Sequence, residues 1–122
     1  MVPAKKLLVI KNDGMGDLIM VSGILQALSE RFQQVDLVTC ENNREIVGFI
    51  KGLNRTYFVS RDSIRIDNNL SSIGVHKRIV NSEDGKVLKE ISGQQYDVAM
   101  CLRRFIRQSS LVIMSAVNAE KK

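Results

Sequence analysis

The segment from Lys6 to Phe32 limits most strictly what this chain can fold into. An apolar run, Leu7-Leu8-Val9-Ile10, passes through Lys11-Asn12-Asp13-Gly14-Met15-Gly16-Asp17 into a stretch of helical period. Four consecutive apolar residues suit a strand buried on both faces, the situation of a strand inside a parallel sheet. Beyond the turn, Leu18, Val21, Leu25, Leu28 and Phe32 recur at steps of three or four, with Ile24 widening the stripe; Ser22, Gln26, Ser29, Glu30 and Arg31 fall on the other faces. A strand, a two-glycine turn and a helix amino end bring backbone N–H groups and an acidic side chain to one place where a ligand can meet them.

The alternation continues along the chain. Residues 35–39 read as a second strand, 41–51 as a helix closed by Gly52, and 55–60 as a third strand rich in β-branched and aromatic residues. Residues 61–81 hold Asp62, Asp67, Asn68, Asn69, Ser71, Ser72 and Gly74, and read as a long loop with room for a small hairpin. A short helix over 86–91 capped by Gly93, a strand over 96–102 and a last helix over 108–119 complete the pattern. Strands alternating with helices require right-handed crossovers, so the expected fold is α/β: a Rossmann-like three-layer sandwich with a mainly parallel sheet, one domain over residues 1–122. In such sheets ligands gather at the carboxyl ends of the strands, where the strand order reverses. The Gly14–Asp17 turn lies at that edge, as does the basic segment Arg103-Arg104-Phe105-Ile106-Arg107.

With 44% hydrophobic residues in 122, the chain has enough aliphatic material for one core. Eighteen Lys and Arg against thirteen Asp and Glu give +5, which favours an anionic partner and equally serves solubility. Nucleic acid is not expected, since aromatics are few and no recognition motif appears. Cys40 and Cys101 lack CxxC spacing and read as buried free thiols of a reducing compartment. No metal-ligand cluster is visible. The opening leads into only about five apolar residues, too few for a signal peptide, and no run approaches the ~20 that span a bilayer. The expected location is therefore cytoplasmic.

The turn invites comparison with two phosphate-binding loops. In Gly14-Met15-Gly16-Asp17-Leu18-Ile19, the third glycine of the dinucleotide fingerprint is replaced by Ile19, and Asp17 would set a carboxylate against a pyrophosphate. Glu41, placed like a ribose-binding acid, does not repair that. No Gly-Lys-Ser/Thr follows the glycines, which excludes a Walker loop. Asp17 also suits a plain helix cap contributing about 1 kcal/mol, and Asp13 an Asx turn.

The stretch from Lys6 through Asn12-Asp13-Gly14-Met15-Gly16-Asp17 to Gly23-Ile24-Leu25-Gln26-Ala27-Leu28 and Phe32 resembles the amino-terminal domain of glycosyltransferase family nine, the heptosyltransferases of lipopolysaccharide core assembly. Tyr96-Asp97-Val98-Ala99-Met100-Cys101-Leu102-Arg103 is similar to that family's later strand, with Cys101 standing where an acid is common. The resemblance implies a GT-B enzyme in which this half holds the acceptor and a carboxyl-terminal half, absent from these residues, holds the nucleotide-sugar donor. It implies Asp17 as the general base that takes the acceptor hydroxyl's proton before an inverting attack at the anomeric carbon. No cofactor or metal is implied, in keeping with the lack of a DxD motif.

A helix amino end favours the ionised carboxylate, which keeps Asp17 available as a base but makes it a weaker one. Positioning then supplies much of the rate. Asp13, Gly14, Met15 and Gly16 would meet the substrate, glycine letting backbone approach closely. Arg103, Arg104 and Arg107 suit an anionic saccharide or glycolipid acceptor, since guanidinium forks pair with carboxylates and phosphates. Lys11, Arg61 and Arg65 are weaker candidates, His76 reads as a surface residue, and Met15 and Met20 read as packing residues. These 122 residues alone are expected not to transfer sugar, to need the donor half in cis, and to work in the cytoplasm, peripherally at the inner membrane. The competing expectation is a non-enzymatic Rossmann-like module that binds a nucleotide or anion.

Overall fold

A computed structural model describes residues 5–11, 15–60, 65–67, 77–79, 82–102 and 108–122; of 15–17, 65–67, 77–79, 82 and 108–111 it describes the backbone. The apolar run forms β1 (Lys6–Lys11), and Leu7, Leu8, Val9 and Ile10 are completely buried in it. There follow α1 (Met15–Arg31), β2 (Gln34–Cys40), a 3₁₀ turn at Glu41–Asn43 running into α2 (Arg44–Val47), and β3 (Thr56–Val59). A small antiparallel hairpin pairs β4 (Arg65–Asp67) with β5 (Lys77–Ile79). The chain continues through α3 (Ser82–Ser92), β6 (Gln95–Cys101), α4 (Gln108–Ala116) and β7 (Asn118–Lys121).

The main sheet has the order β3-β2-β1-β6-β7, with every pairing parallel. The sequence runs outward in one direction from β1 to β3 and in the other from β6 to β7, so the order reverses between β1 and β6. Strand alternation sends Leu7 and Val9 to one face, where Val35 and Leu37 join Leu18 and Leu25 of α1. Leu8 and Ile10 go to the other, where Val38, Tyr57 and Val59 meet Ile91 of α3 and Val112 and Ile113 of α4. The result is the expected three-layer α/β sandwich.

Three expectations need correction. The helix over 41–51 is only α2, because after Val47 the chain tightens: Phe49 N–H donates to Ile46 and Ile50 N–H to Val47, bonds of three-residue span that end an α-helix. The last helix stops at Ala116 and residues 118–121 become β7. Asn118-Ala119-Glu120-Lys121 has little strand preference of its own; the open edge of β6 captures it, with Gln95 opposite Asn118. Finally, Ile24 and Met20 lie on the outer side of α1, 50% and 80% exposed, instead of packing inside.

One polar cluster crosses the core. Asp36, 1% exposed, accepts hydrogen bonds from the Tyr96 hydroxyl (2.5 Å), Asn54 Nδ2 (3.1 Å), the Arg55 amide (3.1 Å) and Gln34 Nε2 (3.3 Å). Beside it Asp97 Oδ2 accepts the Lys6 amide at 2.8 Å. The Tyr96-Asp97 pair therefore ties β6 to β2 and to β1 at the amino ends of the strands.

Candidate functional site

The site follows from where β1 and β6 end. They are neighbours, Ile10 opposite Cys101, and the Leu102 amide donates to the Ile10 carbonyl at 3.0 Å just past the pairing. β1 and β6 thus end side by side, at the reversal of strand order where open α/β sheets bind ligands. α1 begins at Met15, four positions beyond the end of β1. Its first-turn N–H groups lack acceptors within the helix, so this end of α1 is electropositive.

Gly16 and Asp17 stand within the first turn of α1, Asp17 as its third residue, directly before the fully buried Leu18. The anchoring is strong: Leu18 is fixed in the core, so the backbone at Asp17 is held at the carboxyl end of β1. Met15 opens the helix. Asp13 and Gly14 lie outside the described residues, as do Arg103, Arg104 and Arg107, Arg61 and His76. On that side the described residues run to Leu102, whose amide bonds the Ile10 carbonyl near the end of β1.

Other candidates are placed by described geometry. Lys11 is buried at 5% exposure at the last position of β1, opposite Thr39 of β2, and so offers no open cation to an acceptor at the surface. Arg65 opens β4, in the hairpin. At the carboxyl end of β2, Asn43 Nδ2 donates to Thr39 Oγ1 at 2.9 Å, both residues wholly buried, which pins the 3₁₀ turn onto the strand. Glu41 is held by Arg44 Nη2 at 2.6 Å, so the acid placed like a ribose ligand is already engaged. Cys40 and Cys101 are free thiols, the first buried and the second half-buried. Among the described residues no group of His, Cys, Asp and Glu has the arrangement of a metal site, and no helix is long and apolar enough to cross a membrane.

Sequence reasoning missed the Asp36–Tyr96 tie. The signal was present: a carboxylate inside Val35-Asp36-Leu37-Val38, a run buried on both faces, has to find donors or leave the core. It also read Tyr96-Asp97 as the start of a strand and as part of a resemblance, without the structural work both side chains do far from the carboxyl ends of the strands.

By sequence, no family model matches the chain and no curated protein aligns with it significantly. By structure, the chain is similar to a glycosyl transferase family 9 protein from Veillonella parvula, with a TM-score of 0.68 over 94% of this chain at 16% identity. The chain has the fold found in glycosyl transferase family 9. It is also similar to the Escherichia coli heptosyltransferase WaaC, solved with ADP, at a TM-score of 0.62 over 95% of this chain and 14% identity. Both neighbours are much longer: the chain spans 30% of the first and 34% of the second.

Proposed function

We propose that this chain is the acceptor-binding, amino-terminal domain of an inverting, GT-B glycosyltransferase of the heptosyltransferase kind, with Asp17 as general base. The observation that carries the reading is the placement of Asp17 in the first turn of α1, at the reversal of strand order, in a fold shared with a family 9 glycosyl transferase and with a heptosyltransferase. The chain spans about a third of those neighbours, and in this reading the donor is held by another part of the enzyme.

In this reading the acceptor is an acidic, lipopolysaccharide-core-like saccharide or glycolipid. Its hydroxyl loses a proton to the Asp17 carboxylate as its oxygen forms a bond to the anomeric carbon of the donor sugar. The bond from that carbon to the nucleoside diphosphate breaks on the opposite face, and the diphosphate leaves with the electron pair. Positive charge from Arg103, Arg104 and Arg107 holds the acceptor's carboxylates or phosphates, while the glycine backbone of Gly14 and Gly16, with Asp13 and Met15 beside it, admits the sugar closely. No metal or cofactor enters the step. The enzyme works in the cytoplasm against the inner face of the membrane.

The test is Asp17→Asn in the protein that carries this domain together with a donor-binding half. The substitution is expected to lower sugar transfer by about 100-fold or more, the scale of losing a positioned base, while leaving acceptor binding within about twofold. Near-normal transfer by the variant would remove Asp17 as the base.

A further inference from the structure

A second surface, at the other edge of the sheet, has chemistry the transferase reading leaves unused. Among the described residues β3 is the last strand on its side of the sheet, and a groove of about 300 Å³ is lined by its residues Thr56, Tyr57 and Phe58 and by Glu41, Glu83 and Glu90. The pairing of β3 decides what the groove can hold. The Arg55 carbonyl accepts the Leu37 amide at 2.9 Å, so in a parallel ladder the alternate residues Tyr57 and Val59 address β2, and Thr56 and Phe58 turn their N–H and C=O outward. Among the described residues no backbone bond from another segment reaches those outward groups. An edge of this kind is a template for another strand.

The rim decides which strand. Glu41, Glu83 and Glu90 are exposed carboxylates on a chain whose net charge is +5, so the groove is locally opposite in sign to the molecule as a whole. The groove already receives one cation: the Arg44 guanidinium stacks 4.1 Å over the Phe58 ring and pairs with Glu41 at 2.6 Å. That intramolecular contact shows the floor and rim accepting a guanidinium by stacking and charge together. Asp84, also in the lining, is committed to the Ser60 amide and hydroxyl and serves the fold.

We infer that the groove beside β3 is a docking site for an extended, basic peptide segment of a partner protein, added to the sheet edge as a further strand. Main-chain bonds to Thr56 and Phe58 hold the segment, and its Lys or Arg side chains, at alternate positions, meet Glu83 and Glu90. The site lies apart from the ends of β1 and β6, so it stands or falls independently of the transferase reading.

The experiment is fluorescence anisotropy of the 122-residue chain with two labelled eight-residue peptides, one alternating Lys and Val, the other Glu and Val, combined with amide hydrogen exchange. The basic peptide is expected to bind at least about tenfold more tightly than the acidic one, and saturation is expected to protect the Thr56 and Phe58 amides. The charge-reversed double variant Glu83→Lys, Glu90→Lys should lose that preference. Thr56→Pro removes an outward N–H from an edge position that tolerates proline; its circular dichroism should stay unchanged and its peptide binding should vanish. Equal affinity for the two peptides, binding without protection of those amides, or no binding at millimolar peptide would overturn the inference.

Discussion

Asp36 shows how far a single side chain organises this fold. It is a carboxylate buried in a sheet of aliphatic residues, stable there because the Tyr96 hydroxyl, the Asn54 and Gln34 amides and the Arg55 backbone all donate to it. Tyr96→Phe keeps the ring and deletes one donor, leaving the buried carboxylate short of a partner. Urea unfolding is expected to show a loss of about 1–3 kcal/mol, and an unchanged midpoint would contradict the role. The same pair sets an alkaline limit. Burial first, and the bond to Asp36 next, push the Tyr96 hydroxyl well above its ordinary range. A group whose folded pKa is raised contributes stability that is complete below its unfolded value and is lost as pH rises beyond it. Melting temperature should therefore fall above about pH 10, the unfolded tyrosine value, and Tyr96→Phe should flatten that part of the profile relative to wild type. Asp36 was open to sequence reasoning as a charge inside an apolar run; its partners were not, since Asn54 and Tyr96 lie 18 and 60 positions away.

Among the elements, β1, α1, β2, β3 and β6 are those a reader of the sequence finds, because burial on both faces leaves an apolar run and a packed helix leaves a stripe. Leu18 and Leu25 of α1 are completely buried in that way. The small hairpin within 61–81 was also legible as short alternations among turn residues. The short α2 and the added β7 were not, since the first depends on how residues 48–52 turn back over α1 and the second on a free edge of β6. Gly52 records that turning: it has φ +91°, and a Cβ there would run into the Ser29 side chain of α1. Gly52→Ala is accordingly expected to cost about 1–3 kcal/mol by thermal unfolding. Adding Ser29→Gly should recover only the part owed to the collision, because the left-handed backbone remains; full recovery would show that the strain at Gly52 is absent. The strand-turn-helix pattern placed the Gly14–Asp17 turn at the carboxyl end of its strand, and the fold adds that β1 and β6 end next to each other.

As a whole molecule, the chain has a family 9 fold that covers about a third of its structural neighbours. The proposed function makes two predictions for the 122 residues by themselves. Mixed with a nucleotide-activated heptose and an acidic core saccharide, they are expected to give no transfer above the uncatalysed rate; robust turnover would refute the assignment of the donor to another domain. They should nonetheless bind the acceptor. The most direct test of the central claim is a heteronuclear NMR titration of this chain with a phosphorylated, carboxylate-bearing inner-core oligosaccharide. Saturable amide shifts are predicted at the ends of β1 and β6 and in the first turn of α1 around Asp17, and the same shifts are predicted in Asp17→Asn. Shifts gathered instead at the amino ends of the strands, around Lys6, Asp36 and Tyr96, or no response at millimolar saccharide, would contradict an acceptor site at the reversal of strand order.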